Sequence, residues 1–252
     1  MIEAPWFYVL AVPAVLIAGI SKAGFGGGVG VMAVPLMSLA VAPQQAAAVM
    51  LPILCLMDLF GVWAYRRRWD GRNLRIILPG ALVGIAIGAA TFRHLDAGLV
   101  RMLIGLVAVG FALDYWLRPR AAGPARAADP ARGGFWGMVA GFTSFVAHAG
   151  GPPISVYLLP QRLDRTLFVG TTVVFFITIN YVKLIPYGWL GQLHGGNLTT
   201  SLVLAPLAPL GMWLGLALHR RVSDAAFYRI CYGLLLATGA KLLYDGVPAL
   251  LS

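Results

Sequence analysis

Gly19-Ile20-Ser21-Lys22-Ala23-Gly24-Phe25-Gly26-Gly27-Gly28 is the stretch on which the reading of this chain turns. It follows an apolar run over residues 6–20 and leads into a second, shorter one that ends near 42. A second interruption has the same construction: residues 135–147 are apolar, His148-Ala149-Gly150-Gly151-Pro152-Pro153 follows, and a short run reaches Leu159. Each flanking run is too short for a comfortable upright crossing of ~30 Å of hydrocarbon. Glycine and proline break each pair in its middle.

The rest of the chain supplies the context. Of its 252 residues, 60% are hydrophobic and only 11% charged, against roughly a quarter charged in soluble domains. Too little polar surface exists to cover a water-facing globule. Six apolar blocks are long enough to span a bilayer: 45–65, 74–92, 98–117, 166–188, 198–218 and 225–244. The net charge of +10 lies in short loops: Arg66, Arg67, Arg68 and Arg72; Arg118, Arg120, Arg126 and Arg132; Arg162 and Arg165; Arg220 and Arg221. That distribution follows the positive-inside rule and argues against nucleic-acid binding. Cys55 and Cys231 fall inside apolar blocks and read as small core residues.

The sequence repeats. Asp70-Gly71-Arg72-Asn73-Leu74 is similar to His194-Gly195-Gly196-Asn197-Leu198, and Pro79, Gly84 and Gly88 match Pro206, Gly211 and Gly215. The first break matches the second. Two halves result, 1–117 and 134–252, joined by a cytoplasmic linker over 118–133 rich in Pro, Ala and Arg. The arginines place loop 66–72 and the linker inside, while loop 191–197, without Lys or Arg, lies outside. Equivalent loops thus face opposite sides, as in the inverted-topology repeats of secondary transporters. The expected fold is an all-α polytopic membrane protein of two inverted halves, with six full spans and two broken, re-entrant helical hairpins. The hairpins would enter from opposite faces and bring their glycine tips together near the midplane. Two ordinary kinked helices packed on glycine remain the alternative.

Such tips suit a small anion. Gly26, Gly27 and Gly28, with Gly150 and Gly151, leave backbone amides unhindered, and a helix starting there points its positive dipole end at the cavity. Lys22 is deep in an apolar region, where a lysine is expensive and functional by default, unless it snorkels to the interface. Asp58 falls opposite Asn180 and Lys183 under the repeat, which suggests a mutual ion pair or an ion-coupling element, or else a structural salt bridge. His148, at a tip, has an imidazole able to carry a coupling proton or hold substrate, or is simply a satisfied polar residue. Ser21, Thr143 and Ser144 before the tips, and Thr171 and Thr172 on a facing helix, are candidate hydroxyl donors, although each could bond its own helix instead. No soluble-enzyme or nucleotide-binding motif is present, and no metal site or cofactor is expected. The three rivals are a passive anion channel, an intramembrane enzyme using Ser144 and His148, and an assembly subunit without transport.

Those same residues carry a family resemblance. Gly19 to Gly28 with Pro35, together with His148-Ala149-Gly150-Gly151-Pro152-Pro153, Tyr157-Leu158-Leu159-Pro160, Gly170-Thr171-Thr172, Asn180 and Lys183, resembles the TauE/SafE-type sulfite exporter family over essentially the whole chain. The second break departs from branches with three successive glycines. The resemblance implies a multi-pass inner-membrane permease that exports sulfite, a sulfonate or a related sulfur-containing anion. It also implies coupling to an ion gradient, with proton or sodium as the coupling ion.

Overall fold

The computed structural model describes residues 1–24, 30–92, 96–117, 125–218 and 224–246. The described residues form helices joined by short turns, without strands. In chain order they are α1 (Pro5–Gly24), α2 (Ala33–Met37), α3 (Pro43–Ala64), α4 (Gly71–Phe92), α5 (Ala97–Leu117), α6 (Pro130–Ala147), α7 (Gly151–Leu158), α8 (Arg165–Trp189), α9 (Gly195–Leu204), α10 (Leu207–Leu218) and α11 (Asp224–Gly246). Among the described residues, six stretches are long and apolar enough to cross a membrane: Pro5–Ala23, Pro43–Ala64, Gly71–Phe92, Gly98–Leu117, Thr166–Trp189 and Gly195–Ala217. The protein is therefore an all-helical, multi-pass membrane protein.

Three details differ from the sequence expectation, one being that α11, over the expected span 225–244, is not among these six stretches. The first arm is not a half-helix. α1 has 20 residues, ~30 Å of helix, and continues through Ser21 and Lys22 to Gly24. A lysine is tolerated at that depth because a carboxylate from α3 meets it. Its return limb is short: a 3-10 turn Gly30–Met32 and the five residues of α2. The expected span 198–218 is likewise two helices, broken beside Pro206. The matching Pro79 sits inside an unbroken α4.

Helix starts are set by aspartates. Asp70 accepts from the amides of Arg72 and Asn73, Asp96 from Leu99, Asp129 from Arg132, and Asp164 from Thr166 and Leu167. Each occupies donors a helix start leaves unpaired. Four of the nine acidic residues are used this way, whereas Asp58 is fully buried. Outer faces are apolar, with Leu82, Val83 and Ile87 of α4 exposed, and exposed Trp6, Trp63, Trp116 and Trp189 stand near helix ends, where indole favours the membrane interface.

Packing crosses between the halves. α4 packs chiefly on α6, α10 on α1, and α5 on α11. The matched glycines make the first two contacts close. A Cβ on Gly84 would run into the Met138 carbonyl of α6, and one on Gly211 would stand 3.1 Å from the Leu16 carbonyl of α1. Small residues let membrane helices approach backbone to backbone. Two amide pairs also cross. Asn73 and Gln161 exchange hydrogen bonds of 2.9 and 3.1 Å, and Gln45 donates to Asn197 at 3.2 Å. Asn73 and Asn197 are the third residues of α4 and α9. Each thus meets a glutamine of the opposite half.

Candidate functional site

The C-terminal ends of α1 and α6 converge on the middle of α3 and α8. At the end of α1, the Lys22 ammonium pairs with the Asp58 carboxylate at 2.5 Å. Asn180 of α8 donates to the other oxygen of Asp58 at 2.6 Å. The Phe176 ring lies 5.8 Å from the Lys22 nitrogen, within cation–π reach. Lys22, Asp58 and Asn180 are all buried. A charge at this depth is tolerable only when paired and hydrogen-bonded.

The second tip is built differently. α6 ends at His148 in a left-handed conformation, φ 52°, which costs a non-glycine residue energy and survives only where its surroundings over-determine it. Here they do. The His148 amide donates to the Ser144 carbonyl, the Ala149 amide to the Thr143 carbonyl, and the Thr143 hydroxyl to the Ala149 carbonyl at 3.0 Å. The imidazole is held at both nitrogens. Nε2 is 2.9 Å from the Ala47 carbonyl of α3 and Nδ1 is 2.8 Å from the Lys183 nitrogen of α8. A carbonyl can only accept, so Nε2 carries the proton and Nδ1 is free to accept from Lys183. Lys183 also donates to the Ser144 carbonyl at 3.0 Å and to its hydroxyl at 2.9 Å. Three acceptors thus match the three donors of an ammonium. Among the described residues, no carboxylate lies within ion-pair distance of Lys183.

Between the ends of α1 and α6 lies a cavity of about 30 Å³ lined by Ala18, Lys22, Gly30, Leu54, Ser144, His148, Phe176 and Asn180. It has room for a water or two, with one ammonium, one imidazole, one hydroxyl and one carboxamide on its wall. Tyr187 closes the far side of the imidazole, its ring stacked 6.3 Å from His148 and its hydroxyl donating to the Phe145 carbonyl. The chemistry on offer is charge and hydrogen-bond donation to a small solute. Among the described residues, no group of side chains is arranged to hold a metal ion.

The structure gathers some expected residues and separates others. Lys22, Ser144, His148 and Asn180 line the cavity, with Asp58 and Lys183 directly behind them. Asp58, however, is paired with Lys22, not with Lys183, because α1 runs its full length and delivers its own cation first. Thr143 spends its hydroxyl on backbone carbonyls. Thr171 donates to the Leu167 carbonyl and accepts from the Asp70 amide, at the start of α4, while Thr172 donates to Val169. Neither threonine lines the cavity, and Ser21 is buried outside it. Gly26, Gly27 and Gly28 lie outside the described residues. At the second tip, Pro152 and Pro153 have no N–H, so Gly150 and Gly151 alone could offer amides ahead of Ile154. Sequence reasoning missed Gly30, Leu54, Ala18 and Phe176, since apolar residues on a cavity wall resemble those in any core.

Buried charge around a small cavity between helix ends, beneath an apolar exterior, suits a membrane transporter. The sequence matches the family Sulfite exporter TauE/SafE over residues 11–242, and the chain belongs to that family. It is similar to a protein of Cupriavidus necator described as "Probable sulfite/organosulfonate exporter TauE", with 24% identity over 232 residues covering 90% of this chain and 89% of the relative. No solved structure matches the chain.

Proposed function

We propose that this protein is a secondary transporter that moves a small sulfur-containing anion, such as sulfite or a sulfonate, outward across the inner membrane. The observation that carries the reading is the buried centre: two lysines stand against one carboxylate around a cavity whose wall offers Lys22, His148, Ser144 and Asn180. An oxyanion entering there would meet N–H and O–H donors in a medium that strengthens them. The similarity to the probable sulfite/organosulfonate exporter of Cupriavidus necator supports the sulfur chemistry.

Alternating access fits this construction better than a passive channel. A channel keeps a continuous polar path, whereas this cavity has room for a water or two. The packing pairs that cross between the halves support two inverted repeats, 1–117 and 134–252, rocking about the site. The Asn73–Gln161 and Gln45–Asn197 pairs would then join them at opposite ends. An interior-negative potential already favours anion exit by ~2.3 kcal/mol per charge per 100 mV. A coupled proton or sodium ion would add to that drive.

The test is flux through the purified chain in proteoliposomes, with sulfite and methanesulfonate as solutes and imposed proton or sodium gradients. Saturable counterflow by the chain alone supports the carrier. Flux without saturation would mean a channel, and none would mean that a partner is required. A sulfur-containing product formed from either solute would instead support an enzyme.

A further inference from the structure

We infer that the buried centre selects its substrate by charge: it accepts anions bearing one negative charge, such as hydrogensulfite and sulfonates, and rejects dianions such as sulfate and fully deprotonated sulfite. The inference rests on the transport reading above and assigns Asp58 as the residue that sets the rule. The charged groups facing the cavity and its immediate backing come from four elements: Lys22 on α1, Asp58 on α3, His148 at the end of α6 and Lys183 on α8. Tyr187 of α8 and Cys55 of α3 bring a phenol and a thiol, uncharged at neutral pH when unperturbed.

The count follows from the contacts. Lys22 and Asp58 are in direct contact and cancel. His148 gives its Nε2 proton to the Ala47 carbonyl and its Nδ1 lone pair to Lys183, which leaves no place for a second ring proton without breaking one of these bonds. Lys183, with three neutral acceptors, holds one positive charge that no carboxylate within reach balances among the described residues. The centre therefore carries a surplus of one. A monoanion brings it to zero. A dianion leaves one uncompensated negative charge deep in the membrane, which is the costly condition. Sulfite exchanges a proton near neutral pH, so its two charge states are both present for the site to tell apart. Sulfonates stay monoanionic throughout.

The experiment measures proteoliposome flux of methanesulfonate, sulfate and sulfite at matched concentration, from mildly acid to mildly alkaline pH. The expected result is methanesulfonate over sulfate by on the order of a hundredfold, with sulfite flux falling as pH rises in step with the hydrogensulfite fraction and methanesulfonate flux unchanged. Asp58→Asn raises the surplus to two and should narrow the methanesulfonate-to-sulfate ratio by about tenfold or more. The double variant Lys22→Gln with Asp58→Asn restores a surplus of one in the absence of the ion pair. It should regain the native ratio and keeps the test open if the single variant does not fold. Sulfate carried as well as methanesulfonate by the native chain, an unchanged ratio in Asp58→Asn, or loss of discrimination in the double variant would each overturn the charge rule while leaving transport standing. Absence of flux for all three anions would overturn the transport reading and the rule together.

Discussion

The C-terminal ends of α1 and α6 solve the same physical problem in opposite ways. Each ends a long helix with a basic residue deep in the protein, Lys22 on α1 and His148 on α6, and each meets an ionisable side chain on a long neighbouring helix. At the first tip that partner is a carboxylate, and the pair is self-contained, with Asn180 completing it. At the second tip the partner is another base, Lys183, and every ligand it finds is neutral. The first arrangement closes an electrostatic account inside the protein. The second leaves it open, which is sensible only where something negative arrives from outside. On the proposed reading, the pairing beside α1 leaves the basic group beside α6 to act on a solute.

The largest expected effect comes from breaking the closed pair. Asp58→Ala leaves the Lys22 ammonium buried without its carboxylate and should cost about 3–5 kcal/mol, read as a lowered thermal midpoint in detergent. The matching change at the other tip, Lys183→Met, should behave in the reverse sense. It removes a buried charge without orphaning an opposite one, so the fold should persist or gain stability. Anion flux should nevertheless fall by on the order of a hundredfold, equivalent to about 3 kcal/mol. A Lys183→Met protein that unfolds, or one that transports normally, would mean that the two tips do not differ as described.

Smaller effects test how each tip is seated. Gly84→Ala on α4 drives a methyl into the Met138 carbonyl behind the second tip and should cost about 2 kcal/mol. Gly211→Ala meets Leu16 of α1 at 3.1 Å and should cost about 1 kcal/mol or less. Thermal unfolding of the two variants side by side gives the order. The smallest effect is at the amide pairs. Gln161→Ala removes a reciprocal pair of bonds with Asn73, and Gln45→Ala a single one with Asn197. At ~0.6 kcal/mol per interhelical bond in a membrane, the first should cost about twice the second.

Much of the site was legible before any coordinates, and the reason is specific. Lys22, Asp58, His148, Asn180 and Lys183 are polar residues inside blocks that are otherwise hydrocarbon, and the desolvation each would suffer singles it out. The threonines misled. A threonine in a helix can satisfy itself on the carbonyl a turn back, as Thr171 and Thr172 do, so its presence carries no direction. The repeat read in the sequence pairs Gly84 with Gly211, and in the structure Gly84 packs closely on α6 and Gly211 on α1. It could not say that Pro206 breaks its span while Pro79 does not.

By itself, the sequence determined that the chain lives in a membrane, that it is helical and that a few ionisable groups are buried. Hydrophobic length and loop charge act locally along the chain, and twenty apolar residues need no partner to prefer a bilayer. Which cation meets the carboxylate, which base is left over and where the cavity lies were decided by tertiary structure. Those depend on how far α1 runs and on a few ångströms of helix register between residues more than a hundred positions apart. At that depth, whichever charge arrives within 3 Å determines the rest.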